Sequence, residues 1–132
     1  MWEEFKESIN KEKEYRESRI CKYAQLIYIN RFKATTLEEA LEKAKQEGCE
    51  NIKENESLKM DFLYFCTMNL KYIDQMVLNE TIRESDFYDL YKTYRSKLIR
   101  NRIGDIGKLD SIAIAQFFDE YEIELADRNN NV

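Results

Sequence analysis

Histidine is absent from this chain of 132 residues, and that omission removes much catalytic chemistry. Ser-His-Asp and Cys-His catalysis, two-histidine metal centres and the Glu-x-x-His di-iron motif all need an imidazole. Proline is absent too, and there are only three glycines. Average usage would supply roughly six or seven prolines and nine glycines in this length. Proline breaks helices and turn-rich β folds need glycine, so the shortage favours uninterrupted helices. No glycine-rich phosphate loop is present, and no Asp/Asn ladder around a glycine offers a calcium site. No cofactor or metal is implied.

Cysteine is scarce and scattered. Cys21, Cys49 and Cys66 form no C-x-x-C pair, which argues against structural zinc. The N-terminus is charged from Glu3 onward, unlike a signal peptide. Free thiols in a reducing cytoplasm are the expectation.

What is present is a helical vocabulary. Charged residues of both signs make up 36%, apolar residues 43% and aromatic residues 13%, too hydrophobic a mixture for a disordered chain. The segment Leu58–Leu78, LKMDFLYFCTMNLKYIDQMVL, is dense in apolar groups and lacks glycine. On a helical wheel Leu58, Phe62, Leu63, Phe65, Cys66, Leu70, Tyr72, Ile73, Met76 and Val77 cover over half the circumference, with Thr67, Lys71, Asp74 and Gln75 on the remaining arc. A helix so apolar belongs inside a bundle. Its length of roughly 30 Å matches a membrane span, but Asp61, Lys71 and Asp74 argue against one. Asn69 falls inside the apolar arc and must find a hydrogen-bond partner there, most simply a backbone group or helix end.

Around this segment the periodicity predicts an all-α bundle of about five helices in a single domain over 1–132. Helix one spans Trp2 to about Phe32, its charged stretch at Lys11–Arg19 marking residues 1–19 as a candidate projecting segment. Thr36-Leu37-Glu38-Glu39 is a capping-box pattern for helix two, with Gly48 as its stop. A competing reading places short strands at Ile27–Lys33 and Cys49–Ile52. Residues 50–57 read as a polar link. Helix four carries the stripe Phe87, Leu90, Tyr91, Tyr94 and Leu98, and Gly104 should end it. Asp110 is the candidate cap of helix five, with Ile114, Phe117, Phe118, Tyr121 and Leu125 on its apolar face.

Three surfaces stand out. Trp2, Phe5 and Ile9 recur at the spacing by which an amphipathic helix offers anchors to a partner groove. The same groups would equally well close one end of the protein's own core, or join two copies in a homodimer. Second, charge is uneven. Residues 90–104 hold Lys92, Arg95, Lys97, Arg100 and Arg102 and no acid, in a chain of net charge −5. Cations interleaved with Tyr91 and Tyr94 invite nucleic acid, yet both tyrosines lie on the apolar stripe and the cations spread around the helix. Pairing with acidic neighbours is the plainer reading. Third, Asp119, Glu120, Glu122, Glu124 and Asp127 make an acidic face on helix five, either a docking surface for a basic partner or an ordinary solvated face.

The function these features favour is non-catalytic: a small cytosolic protein that binds another macromolecule as adaptor, inhibitor or assembly subunit. Richness in Lys, Glu, Asn, Ile and Tyr fits an AT-rich bacterial or phage genome, where an accessory protein acting on a host or defence complex is a natural role. The alternative is a nucleic-acid-contacting subunit of a ribonucleoprotein using the 92–102 cations. An enzyme without histidine would have to rest on tyrosine, cysteine or carboxylates.

Overall fold

The computed structural model describes residues 2–11, 16–47 and 52–130. Among these the chain is all-α, with seven helices and no strand. They are α1 (Trp2–Lys11), α2 (Arg16–Arg31), α3 (Leu37–Gln46), α4 (Ile52–Met68), α5 (Leu70–Leu78), α6 (Phe87–Arg100) and α7 (Ser111–Asn130), with a 3-10 turn at Glu84–Asp86 before α6. The expected strand at Ile27–Lys33 is helical through Arg31. Of the other, Ile52 opens α4, and the rest lies outside the described residues, as does the Gly48 stop.

The count exceeds five because two expected helices are each divided. The first correction concerns helix one. In a continuous helix Phe5 and Tyr23 would lie roughly 27 Å apart along the axis; here their rings meet edge to face with centroids 5.7 Å apart. Trp2 likewise sits 6.3 Å from Phe87, and Lys6 Nζ reaches Glu80 Oε1 at 2.7 Å. Helix α1 therefore folds back over α2 and α5 and does not project.

The second correction concerns Leu58–Leu78, which is broken at Asn69. Its φ of −118° and ψ of 15° leave the helix, and its Nδ2 donates to the Phe65 carbonyl at 2.8 Å. A short amide that bonds its own backbone competes with the helix ladder and bends the chain there. At the other end α4 begins at Ile52, so most of the expected polar link is helical.

Cores form where the stripes converge. Tyr23, Ile27 and Tyr28 of α2 are fully buried with Phe62, Phe65 and Cys66 of α4, Ile73 and Met76 of α5, Phe87, Leu90 and Tyr94 of α6, and Tyr121 of α7. The rings form a chain of contacts, edge to face for Phe62 to Tyr91 and Tyr94 to Phe117 and tilted for Phe65 to Tyr94, joining α4, α6 and α7. Such pairs add about 0.5–1.5 kcal/mol each beyond area burial. α2 shares the centre, packing on α3, α4 and α6.

Helix ends show how a glycine-poor chain turns. α2, α5 and α6 each finish in a paired-bond stop whose key residue is left-handed without being glycine: Lys33 at φ 53°, Glu80 at φ 59° and Arg102 at φ 56°. At α6 the Arg102 N–H reaches the Ile99 carbonyl at 3.0 Å and the Ile103 N–H reaches that of Leu98 at 2.9 Å. This is the Schellman arrangement, ahead of the expected Gly104. The starts follow the sequence more closely. Thr36 Oγ1 accepts from the Glu39 N–H and Asp110 Oδ1 from the Ala113 N–H. The Glu39 carboxylate bonds Thr35, one residue before the box position. Asn30 at the end of α2 caps α6 by accepting from the Phe87 N–H at 3.1 Å.

Candidate interaction site

A cleft of about 580 Å³ lies between α4 and α6, closed by the chain that turns back after the stop at Arg102. One wall is α4, with Met60, Asp61 and Tyr64; the other is α6, with Tyr91, Arg95, Leu98 and Ile99. The chain leaving α6 closes the far end through Ile103 to Ile106. Tyr64 is fixed against this returning loop, since a β-carbon on Gly107 would lie 2.7 Å from its ring. The loop approaches so closely only because residue 107 has no side chain.

The cleft joins apolar rim to polar floor. Met60 is 63% exposed, Tyr64 42% and Ile99 66%. Below them the Tyr91 hydroxyl is buried and makes no well-formed hydrogen bond among the described residues. Burial pushes its ionisation up to about 12, opposed by the neighbouring Arg95 guanidinium and reinforced by the Asp61 carboxylate. Arg95 shares the α6 wall with Tyr91, and Asp61 stands on the α4 wall of the same cleft. Among the described residues neither has an ion-pair partner within 4 Å. Asp105 is engaged locally, accepting from the Gly107 N–H at 3.2 Å.

Of the five cations singled out from sequence, Arg95 lines this cleft, together with Tyr91. Trp2, Phe5 and Ile9 are half-buried and packed on the core, so the stripe closes the protein's own interior. Lys92, Arg95, Arg100 and Arg102 are exposed. Lys97 leans on α7, 3.5 Å from Glu120 and 5.9 Å above the Phe117 ring, the acidic pairing that the charge pattern suggested. On the acidic face Glu124 bonds Arg128, and Glu122 is half-buried, its carboxyl pushed up by burial and by Asp119. Asp119 and Asp127 are exposed.

Met60, Tyr64 and Met68 carry a signal that the sequence reading passed over. They recur every four residues on the arc shared with Thr67, the polar side of α4, and all three are exposed. Large apolar groups repeating on an otherwise polar helix face are the pattern of a contact surface.

Two further hollows are less distinctive. One, of about 230 Å³, lies beside Cys21 between α2, α3 and α4. The other is a shallow depression near the helix break, where Arg16 and Lys71 surround an Arg19 already bound to Asp74. No His/Cys/Asp/Glu cluster among the described residues is arranged to hold a metal ion, and no helix is long and apolar enough to cross a membrane. No family model, curated protein or solved structure matches the chain.

Proposed function

We propose that this is a small non-catalytic protein that acts by binding another macromolecule, as adaptor, inhibitor or assembly subunit, through the α4–α6 cleft. One observation carries the reading: Met60, Tyr64 and Ile99, all substantially exposed, converge on a single cleft together with Arg95. Exposed apolar groups scattered singly are ordinary, whereas a cluster rimmed by charge marks an interaction surface. Tyrosine and arginine are also among the residues that dominate interface energetics. Exposed Cys21 and buried Cys66, both free thiols, fit a reducing cytoplasm. The test is capture from the native cell with wild type and with Tyr64→Glu. The variant should lose the captured partner while its helical circular-dichroism spectrum is unchanged. Retention of every partner would overturn the assignment of this face.

The four exposed cations Lys92, Arg95, Arg100 and Arg102 favour a second reading, contact with the nucleic acid of a ribonucleoprotein. Binding to single-stranded RNA or DNA that weakens steeply with salt would support it. No binding at low salt would remove it.

A further inference from the structure

We infer that the occupant of the cleft is a second copy of this chain, so that the α4–α6 face is a two-fold homodimer interface. This rests on the reading that the face binds protein, and names the partner.

The argument begins with what the chain leaves unsatisfied. Asp61 on the α4 wall and Arg95 on the α6 wall carry opposite charges, and neither has an ion-pair partner among the described residues. The Tyr91 hydroxyl, on the α6 wall beside Arg95, is buried and makes no well-formed hydrogen bond among the described residues. A hydroxyl in this state has given up water without a full replacement bond, so a group that enters the cleft and accepts from it is favoured.

Opposite charges on opposite walls are what a self-complementary surface requires. In a two-fold interface residue i meets residue j and j meets i. The second copy's Asp61 is then carried toward Arg95, and the reciprocal pair forms on the other side of the axis. The incoming carboxylate accepts from both the Arg95 guanidinium and the Tyr91 hydroxyl, a charge-assisted arrangement. A foreign surface of uniform charge would meet the wrong sign on one wall.

The rim argues against a small ligand as the occupant. Met60 and Ile99, more than half exposed, stand at the mouth of the cleft, where only a broad partner covers them. Tyr64 is already held in place by the loop at Gly107, which reduces the ordering cost of using it as an anchor.

The experiment is sedimentation velocity on the full chain across the micromolar range. Wild type is expected at twice the chain mass of 16.0 kDa. Asp61→Arg and Arg95→Asp each place like charges across the axis, and each should weaken the dimer about tenfold or more. The double variant with both changes should recover it, which loss of folding in a single variant does not mimic. A monomer at every concentration, or a dimer indifferent to both single changes, overturns the inference. If wild type is monomeric while Tyr64→Glu abolishes capture of another protein, the homodimer falls and the binding role of the cleft stands. If it is monomeric and capture is unaffected, both fall.

Discussion

The Tyr23 hydroxyl donates to Asp74 Oδ1 at 2.7 Å, tying α2 to α5 across a buried boundary. Arg19 reaches the same carboxylate with Nε at 3.3 Å and Nη2 at 3.2 Å. Its side chain is 9% exposed and that of Asp74 16%, so water offers little compensation to either. A two-part outcome follows. Tyr23→Phe removes one hydrogen bond and should cost about 1 kcal/mol. Asp74→Asn removes the charge facing Arg19 and should cost about 2–3 kcal/mol. Urea denaturation of both variants checks the order. Equal effects would mean that the ion pair adds nothing beyond the hydroxyl contact.

The opposite behaviour is expected at Tyr94, whose hydroxyl is buried beside Asn69 and makes no well-formed hydrogen bond among the described residues. Here Tyr94→Phe discards a polar atom that gains little from burial, while the ring keeps its contacts with Phe65 and Phe117. Stability should be unchanged or rise by up to about 1 kcal/mol. A loss of more than that in the same denaturation assay would show that the hydroxyl has a partner in solution.

Glycine should help where it is rare. Lys33 and Arg102 occupy left-handed conformations that cost an L-residue roughly 1–2 kcal/mol. Part of the gain on substitution is offset by the greater freedom of glycine in the unfolded chain. Lys33→Gly and Arg102→Gly should each stabilise by about 0.5–1 kcal/mol, read as a rise in melting temperature. Glu80→Gly should gain less, because it also removes the pair with Lys6.

Alkaline pH should unfold the protein through its phenols. Tyr23, Tyr91, Tyr94 and Tyr121 are all shifted upward from 10.0, with burial the largest cause in each. An acid that ionises less readily when folded contributes stability that is complete below its unfolded value. That contribution is lost as pH rises toward and through the folded one. Stability should therefore hold to about pH 10 and fall between 10 and 12, the range bounded by Tyr91. Phenolate absorbance followed against pH should show these four tyrosines ionising late, together with loss of helix by circular dichroism. Smooth titration of all nine tyrosines at their ordinary value would contradict the burial pattern.

Much of the architecture is legible because it is local. Missing proline, apolar groups at helical spacing, and the Thr36 and Asp110 caps each act within a few residues, and each is where the spacing placed it. The stripes at Phe87–Leu98 and Ile114–Leu125 are buried for the same reason. Interruptions were harder to read. Asn69 was recognised as a polar residue on an apolar face, but a helix bent by its own amide has the same periodicity as a straight one. The helix ends near Phe32 and Leu78 are legible, but the left-handed conformations at Lys33, Glu80 and Arg102 are not, because they are imposed by the returning chain and not by residue type.

The sequence by itself determined helical class, the buried stripes and the exclusion of histidine chemistry, all of which depend on composition and short-range order. Only tertiary structure decided that Trp2 and Phe5 turn inward, that Asp74 and Asp89 each gather a tyrosine and an arginine from distant helices, and that Asp61, Tyr91 and Arg95 share one cleft. Those relationships join residues on helices well separated along the chain, and nothing in the spacing along a chain records which helix faces will meet.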